Sequence, residues 1–398
     1  MFAGALAGCA ARHPTAGLPP GDVLRAGPGE RADAYLTRLV PFGFSGTVMV
    51  ARRDTVLLDR AYGSADRTTD RALELNTPFM IGSVTKQFTA AAILALEEDG
   101  VLSVHDALGR WLAEAPPDKA GITLHQLLTH TSGLPYHTDR DFLEVRPRAA
   151  VYAEMLGLPL EFTPGAGWTY SNPGFTLLGA VIERASGLSY EDYLVQRLFR
   201  RAGMTRTSFE SDRSGIDPAQ AVHSYAGELP GEQGQGPITA FPPTPKGVGA
   251  GTVITTAGEL YRWQQSLLEG RVLRPSNVAR LLQPQHRLRE DAAWGYGWEI
   301  RTTLRGTTVL RSFGDIGGYN AEMRRYPDED GVTLIVTSAV RVRGRGMREA
   351  VLNPISRILA GEESRCRRRP LRRQPRVRRP VVSARAPTVC CWSGRRRA

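Results

Sequence analysis

The chain has 398 residues, 41% of them hydrophobic, and a formal charge of +11 at pH 7. That length and apolar fraction are enough to bury the core of one large domain or two interleaved ones. No run of about 18 apolar residues exists, so no helix of this sequence is long and apolar enough to cross a membrane. The charge is concentrated at one end: the stretch from Ser364 to Ala398 holds 13 arginines and no acid, and removing those 13 from +11 leaves −2 for the rest. The net charge is therefore no argument for a nucleic-acid-binding fold.

The first stretch, "MFAGALAGCAARHPT", contains Leu6-Ala7-Gly8-Cys9, which resembles a bacterial lipoprotein lipobox. In that motif the cysteine is lipidated and the residues before it are removed. The apolar run is short and no basic residue precedes it, so residues 1–21 read as a shortened lipoprotein signal and linker. The expectation is membrane anchoring through Cys9 in an exported or envelope-attached protein (bacterial periplasm or cell envelope), with a cytoplasmic protein as the alternative. The other cysteines are Cys366, Cys390 and Cys391, and none lies between residues 10 and 365. The fold is thus expected to use no disulfide, thiolate metal site or cysteine nucleophile.

Residues 22–362 carry the pattern of a folded domain. "FSGTVMVARRDTVLLDRAY" (44–62) predicts two strands joined at Arg53-Asp54. Ser83 to Asp99 predicts a helix ended by Gly100, apolar nearly all round and so buried. Residues 103–205 are mostly helical. Ser189 opens one helix with acids in its first turn, arginines in its last and Gly203 as its stop; Pro173 and Gly187 bound another. Residues 226–251 are rich in Gly and Pro and read as a long irregular connection. Its "KGVGAGT" has no strand before it, which excludes a dinucleotide loop. After a helix at 255–269 come four strand-like runs, "GYGWEIRTT", "TTVLRSFG", "YNAEMRRYP" and "GVTLIVTSA", whose short links favour antiparallel pairing. Strands at both ends with helices between predict an α+β fold: one antiparallel sheet flanked by helices, with a helical subdomain (about 100–245) inserted.

The tail, residues 363–398, mixes Arg and Pro with no helical or strand period and is expected to be disordered. It reads as a solvated extension in preference to a nucleic-acid arm.

The chemistry is concentrated near Ser83. The chain has only three lysines against 48 arginines, and one of them, Lys86, stands three residues after Ser83. At a helix start the Ser83 hydroxyl meets free N–H groups and the positive end of the dipole, and Lys86 shares its face. A serine needs a base beside it to become a nucleophile, and a desolvated lysine can be one where an arginine cannot. "GWTYSNPGF" places Tyr170 and Asn172 before a helix, which on its own is equally a capped turn.

Together these pieces resemble the serine β-lactamase and penicillin-binding-protein superfamily, specifically the class C β-lactamase-like serine hydrolases. The resemblance runs over roughly residues 32–360. It is carried by "FMIGSVTKQFTAAAI", "ITLHQLLTHTSGLP", "GWTYSNPGFTLLGAVIERASGLSYEDY", "GVGAGTVITTAGELYRWQQSLLEG" and "WGYGWEI". It implies Ser83 as nucleophile, Lys86 as the amine that shares its proton, and Tyr170 as the phenol that acts with Lys86 and later protonates the leaving group. Asn172 would bind Lys86 and the substrate. The family's third element, Lys-Thr-Gly or His-x-Gly, falls here on Ser312-Phe313-Gly314, and the oxyanion donors would be the N–H groups of Ser83 and Asp315. A hydroxyl at Ser312 replaces a cation or imidazole, so a substrate carboxylate loses a partner. Arg311 alternates to the opposite strand face and does not supply the missing cation.

No His-Glu-x-x-His occurs; no metal or cofactor is expected, and His130 is read as part of a turn. The expected activity is hydrolysis of esters, amides or peptides, on a small-molecule or peptide substrate, through a Ser83 acyl-enzyme. The alternatives are a β-lactamase or D-Ala-D-Ala carboxypeptidase, and a non-catalytic relative that binds peptides or cell-wall fragments.

Overall fold

The computed structural model describes residues 22–53, 55–136, 146–213, 216–217, 221–226, 236–240, 247–342, 345–346 and 348–362. Cys9 with the signal-like segment, most of the Gly/Pro-rich connection, and the arginine-rich tail lie outside the described residues.

Among the described residues, nine strands form one sheet. In chain order they are β1 (Val23–Leu24), β2 (Gly46–Arg52), β3 (Thr55–Tyr62), β4 (His286–Arg289), β5 (Ala292–Trp294), β6 (Glu299–Thr302), β7 (Thr308–Ile316), β8 (Tyr319–Tyr326) and β9 (Val332–Ser338). Their spatial order is β1-β3-β2-β9-β8-β7-β6-β5-β4, antiparallel throughout. The seam between the two ends of the chain is β2 against β9, with Thr47 opposite Thr337. The expected sheet built from both termini is present.

The central strands are buried on both faces, which explains their continuous apolar runs. Val48 and Val50 of β2 and Leu334 and Val336 of β9 face one layer; Met49, Ala51 and Ile335 face the other. The first layer is completed by α1 (Pro28–Thr37), through Ala32 and Leu36, and by a C-terminal helix, here α5 (Arg348–Leu359), through Val351, Leu352 and Ile355. The second layer holds α2 (Lys86–Glu98), α3 (Asn172–Ser186) and α4 (Ala257–Leu268). Phe88 of α2 meets Trp263 of α4 at 4.7 Å and Phe199 at 5.1 Å, both edge-on. Edge-on aromatic pairs like these favour one packing of the two helices over others.

The predicted caps stand. Ser171 accepts from Gly174 N–H at the start of α3, which Gly187 ends at φ 72°, and Ser189 accepts from Asp192 N–H. The structure differs at Ser83, where a 3-10 turn, Gly82–Thr85, precedes α2. Gly82 has φ 51°, and a Cβ there would lie 2.9 Å from Asp315 N. The chain is thus tightened against β7 before the α-helix begins.

Two further elements set the site. The short strand Phe79–Met80 pairs with Val253–Thr255, Met80 opposite Ile254. That pairing brings the Ser83 turn beside the loop before Val253. The run "GYGWEIRTT" forms a strand only from Glu299, because Gly297 turns the chain at φ 76°.

Candidate active site

Ser83 lies on the 3-10 turn and Lys86 is the first residue of α2. The Lys86 amine donates to Ser83 Oγ at 3.0 Å, to Asn172 Oδ1 at 2.7 Å and to the Ala250 carbonyl at 2.8 Å. The side chain is 1% exposed. Its acceptors come from three elements: the 3-10 turn before its helix, α3 and the glycine-rich loop. Each is fixed by a feature the sequence carries, namely the i,i+3 spacing, the Ser171 cap and the Met80–Ile254 register. The loop earlier read as irregular therefore supplies a carbonyl to the amine, which no motif announced.

Tyr170 precedes the Ser171 cap, and its ring borders the same small cavity as Ser83 and Lys86. Burial pushes this phenol well above its ordinary value; Ser83 pulls it down, and Tyr136 and Asp315 push it up. The resting form is thus the neutral phenol, a proton donor rather than a standing phenolate. Lys86 Nζ lies 5.0 Å from the centre of the Tyr170 ring.

His130, read from sequence as a turn residue, packs directly behind Tyr170. It is 1% exposed and holds a left-handed φ of 62°. Its ring lies 4.5 Å from that of Tyr170 and 4.9 Å from that of Trp294. Nδ1 accepts the Ser171 N–H at 3.1 Å, which puts the ring proton on Nε2. Burial first, then the charge of Lys86, holds the imidazole well below its ordinary value. A neutral ring therefore sits beside the Lys86 amine and adds no positive charge to the site. His125 is used differently, its Nδ1 lying 2.8 Å from the Tyr296 hydroxyl.

The third element lies on β7. Ser312 and Gly314 face α2, and Ser312 Oγ accepts from Gln87 Nε2 at 3.4 Å. A Cβ on Gly314 would lie 2.1 Å from Ile81 O and 2.4 Å from Ser83 N. Gly82 and Gly314 thus bring backbone onto backbone, and the Ser83 and Asp315 amides onto the same small region. A small cavity there is lined by Ser83, Lys86, Tyr170, Trp294, Ser312 and Phe313. Arg311 also borders this cavity, but its guanidinium is held by acids, 3.1 Å from Glu299 Oε2 and 2.9 Å from Glu322 Oε1. The seven residues Ser83, Lys86, Tyr170, Asn172, Ser312, Gly314 and Asp315 all converge on this region, whereas Cys9 lies outside the described residues. Ala250, His130, Trp294 and Phe313 also join the site; they lie in segments that carry the resemblance, but the sequence reading assigns none of them a part in the chemistry.

Residues 43–353 match the family described as Beta-lactamase. A penicillin-binding protein of Bacillus subtilis is 31% identical over 339 residues, covering 80% of this chain and 73% of the relative. Esterase EstB of Burkholderia gladioli is 37% identical over 158 residues, 35% of this chain and 40% of that relative. Among solved structures, a penicillin-binding protein from Bacillus halodurans matches with a TM-score of 0.68 at 25% identity, over 83% of this chain and 99% of the other.

Proposed function

The chain belongs to the beta-lactamase family, and from that premise we propose that it is a serine hydrolase that cleaves ester, amide or peptide bonds through a Ser83 acyl-enzyme. The observation that carries the reading is the buried Lys86 amine 3.0 Å from Ser83 Oγ. A hydroxyl is activated when a base stands within hydrogen-bond reach and is itself held in place. Asn172 and Ala250 hold this one.

In the proposed sequence, Lys86 enters as the neutral amine with its lone pair toward Ser83, and Ser83 Oγ attacks the substrate carbonyl as its proton passes to Lys86 Nζ. The N–H groups of Ser83 and Asp315 receive the charge on the carbonyl oxygen; a donor of this kind typically contributes about 3 to 4 kcal/mol to the transition state. Tyr170, neutral at rest and beside Ser83 and Lys86 in the cavity, gives its proton to the leaving group and is recharged from the protonated Lys86. Water then attacks the acyl-enzyme by the reverse path and releases the acid.

The substrate class follows from β7. Ser312 offers a hydroxyl where a cation would hold a carboxylate, and Arg311 is paired with Glu299 and Glu322. An acyl group without a carboxylate at that point loses nothing, whereas a charged hydrogen bond worth about 1.5 to 3 kcal/mol is forgone by one that has it. A neutral ester, amide or peptide is therefore the preferred substrate. Penicillin recognition is the second reading, favoured by the relationship to the Bacillus subtilis penicillin-binding protein.

We assign the catalytic unit to residues 22–362 and an envelope location to the protein, with Cys9 as the candidate lipid anchor. The test is stopped-flow hydrolysis of a neutral p-nitrophenyl ester and of a chromogenic penicillin by the full chain. A burst of one product per chain with the ester, at a higher kcat/KM than with the penicillin, supports the reading. A penicillin preference would move the assignment to the second reading, and turnover of neither would leave a non-catalytic binding relative.

A further inference from the structure

Asp315 sets a carboxylate beside the amide that the proposed mechanism uses for the oxyanion. A bare negative charge at that point would oppose both the charge developing on the substrate oxygen and any proton loss from Tyr170, because Coulomb terms are large in a partly dehydrated site. The charge does reach the site, since Asp315 is one of the influences on the Tyr170 phenol. An acid here needs an answer.

The answer comes from the other end of the chain. The Asp315 side chain shares the face of β7 that carries Arg311 and Phe313, opposite to Ser312 and Gly314. There Arg348, the first residue of α5, makes an ion pair with Asp315 Oδ2. The same guanidinium lies 3.3 Å from Glu322 Oε2, and its centre is 5.3 Å from the centre of the Phe313 ring. Glu322 is fully buried but has other cations of its own: Arg311 at 2.9 Å and Arg324 at 2.6 Å. Arg324 is also fixed, by Asn353 Oδ1 at 2.6 Å. Arg311 and Arg324 both meet Glu322 through Oε1, so Arg348 divides its charge between Glu322 Oε2 and Asp315 Oδ2 and is the cation that Asp315 has.

We infer that Arg348 is a positioning residue for the reaction: by pairing with Asp315 it cancels the negative charge beside the oxyanion amide and holds the end of β7 against the Ser83 turn. It touches neither the substrate nor the reacting atoms and acts through Asp315. The inference rests on the serine-hydrolase reading above.

The experiment is a double-mutant cycle on the full chain, measuring the rate of Ser83 acylation by a fluorophosphonate. Arg348→Gln is expected to slow acylation about 10- to 100-fold, and Arg348→Gln with Asp315→Asn to recover most of that loss. Arg348→Lys, which keeps the charge, is expected to stay within about threefold of the wild type. Should Arg348→Gln not fold alone, the double variant is compared with Asp315→Asn: equal acylation rates support the inference, because Arg348 then has no Asp315 charge to cancel. A double variant as slow as Arg348→Gln, or at least tenfold slower than Asp315→Asn, would overturn it, as would an Arg348→Gln that acylates normally. A wild-type chain that the probe does not acylate would overturn the hydrolase reading itself, and this inference with it.

Discussion

Gly314 lies so close to Ser83 that a methyl group on its Cα would sit 2.4 Å from the Ser83 amide nitrogen and 2.1 Å from the Ile81 carbonyl oxygen. Both neighbours are main chain, so no side chain can swing away to make room. The glycine is what allows a sheet strand and the nucleophile turn to share one wall of the site.

Gly314→Ala therefore forces β7 away from the Ser83 turn. Overpacking of this sort costs about 1 to 3 kcal/mol, and the expected loss in kcat/KM is larger than the loss in stability suggests, because the Ser83 and Asp315 amides separate. Chemical denaturation alongside ester hydrolysis checks this. A variant that is destabilised yet fully active would show that the close approach serves packing alone.

His130→Phe keeps the aromatic bulk behind Tyr170 but removes the acceptor of the Ser171 N–H. A buried donor left alone costs about 1 to 3 kcal/mol. The pH dependence carries a sign as well. The folded imidazole is held well below its ordinary value of 6.5, so the unfolded chain takes up this proton first as pH falls. The contribution of His130 is present above about 6.5 and is lost on acidification below it. The stability gap between wild type and His130→Phe should narrow from pH 8 to pH 5, which thermal unfolding across that range would reveal.

Asp59 gives the opposite sign. Its carboxyl, 5% exposed on β3, is pushed up from 3.8 to about 7, by burial first and by Asp22 second. The folded state then holds a proton that the unfolded chain gives up near 3.8, so this stability is complete below about 3.8 and is lost as pH rises through about 7. Asp59→Asn should leave stability nearly unchanged at pH 4 and raise it at pH 8. The upper bound is about 4 kcal/mol at 1.36 kcal/mol per unit. An equal effect at both pH values would contradict the assignment.

The parts of this site that were legible in the sequence are those set by short spacing. Ser83 and Lys86 are one helical turn apart, and Tyr170 and Asn172 flank a cap that the Ser171–Pro173 pattern announces. The four C-terminal strand runs and the β2–β3 hairpin declare themselves through apolar patterning and turn residues. What was not legible depends on distant partners. The sequence reading assigns no helix to 348–359; Pro354 stands inside it, and an interior proline normally breaks a helix. Tertiary packing of Val351, Leu352 and Ile355 on the sheet overrides that signal. Arg348 and Asp315 are separated by 33 residues, and no local pattern links them. Ala250 enters through its carbonyl alone, so its side chain carries no mark of the role.

The most direct test of the central claim is peptide mapping by mass spectrometry after exposure of the full chain to a fluorophosphonate, for wild type and for Lys86→Arg. The account predicts one adduct, on Ser83, in the wild type. It predicts at least a 100-fold slower adduct in the variant, since losing a positioned base typically costs about 10²- to 10⁴-fold and a guanidinium cannot give up its proton. A wild type without an adduct on Ser83, or a Lys86→Arg chain labelled just as fast, would contradict the pairing of Ser83 with Lys86 on which the proposed chemistry depends.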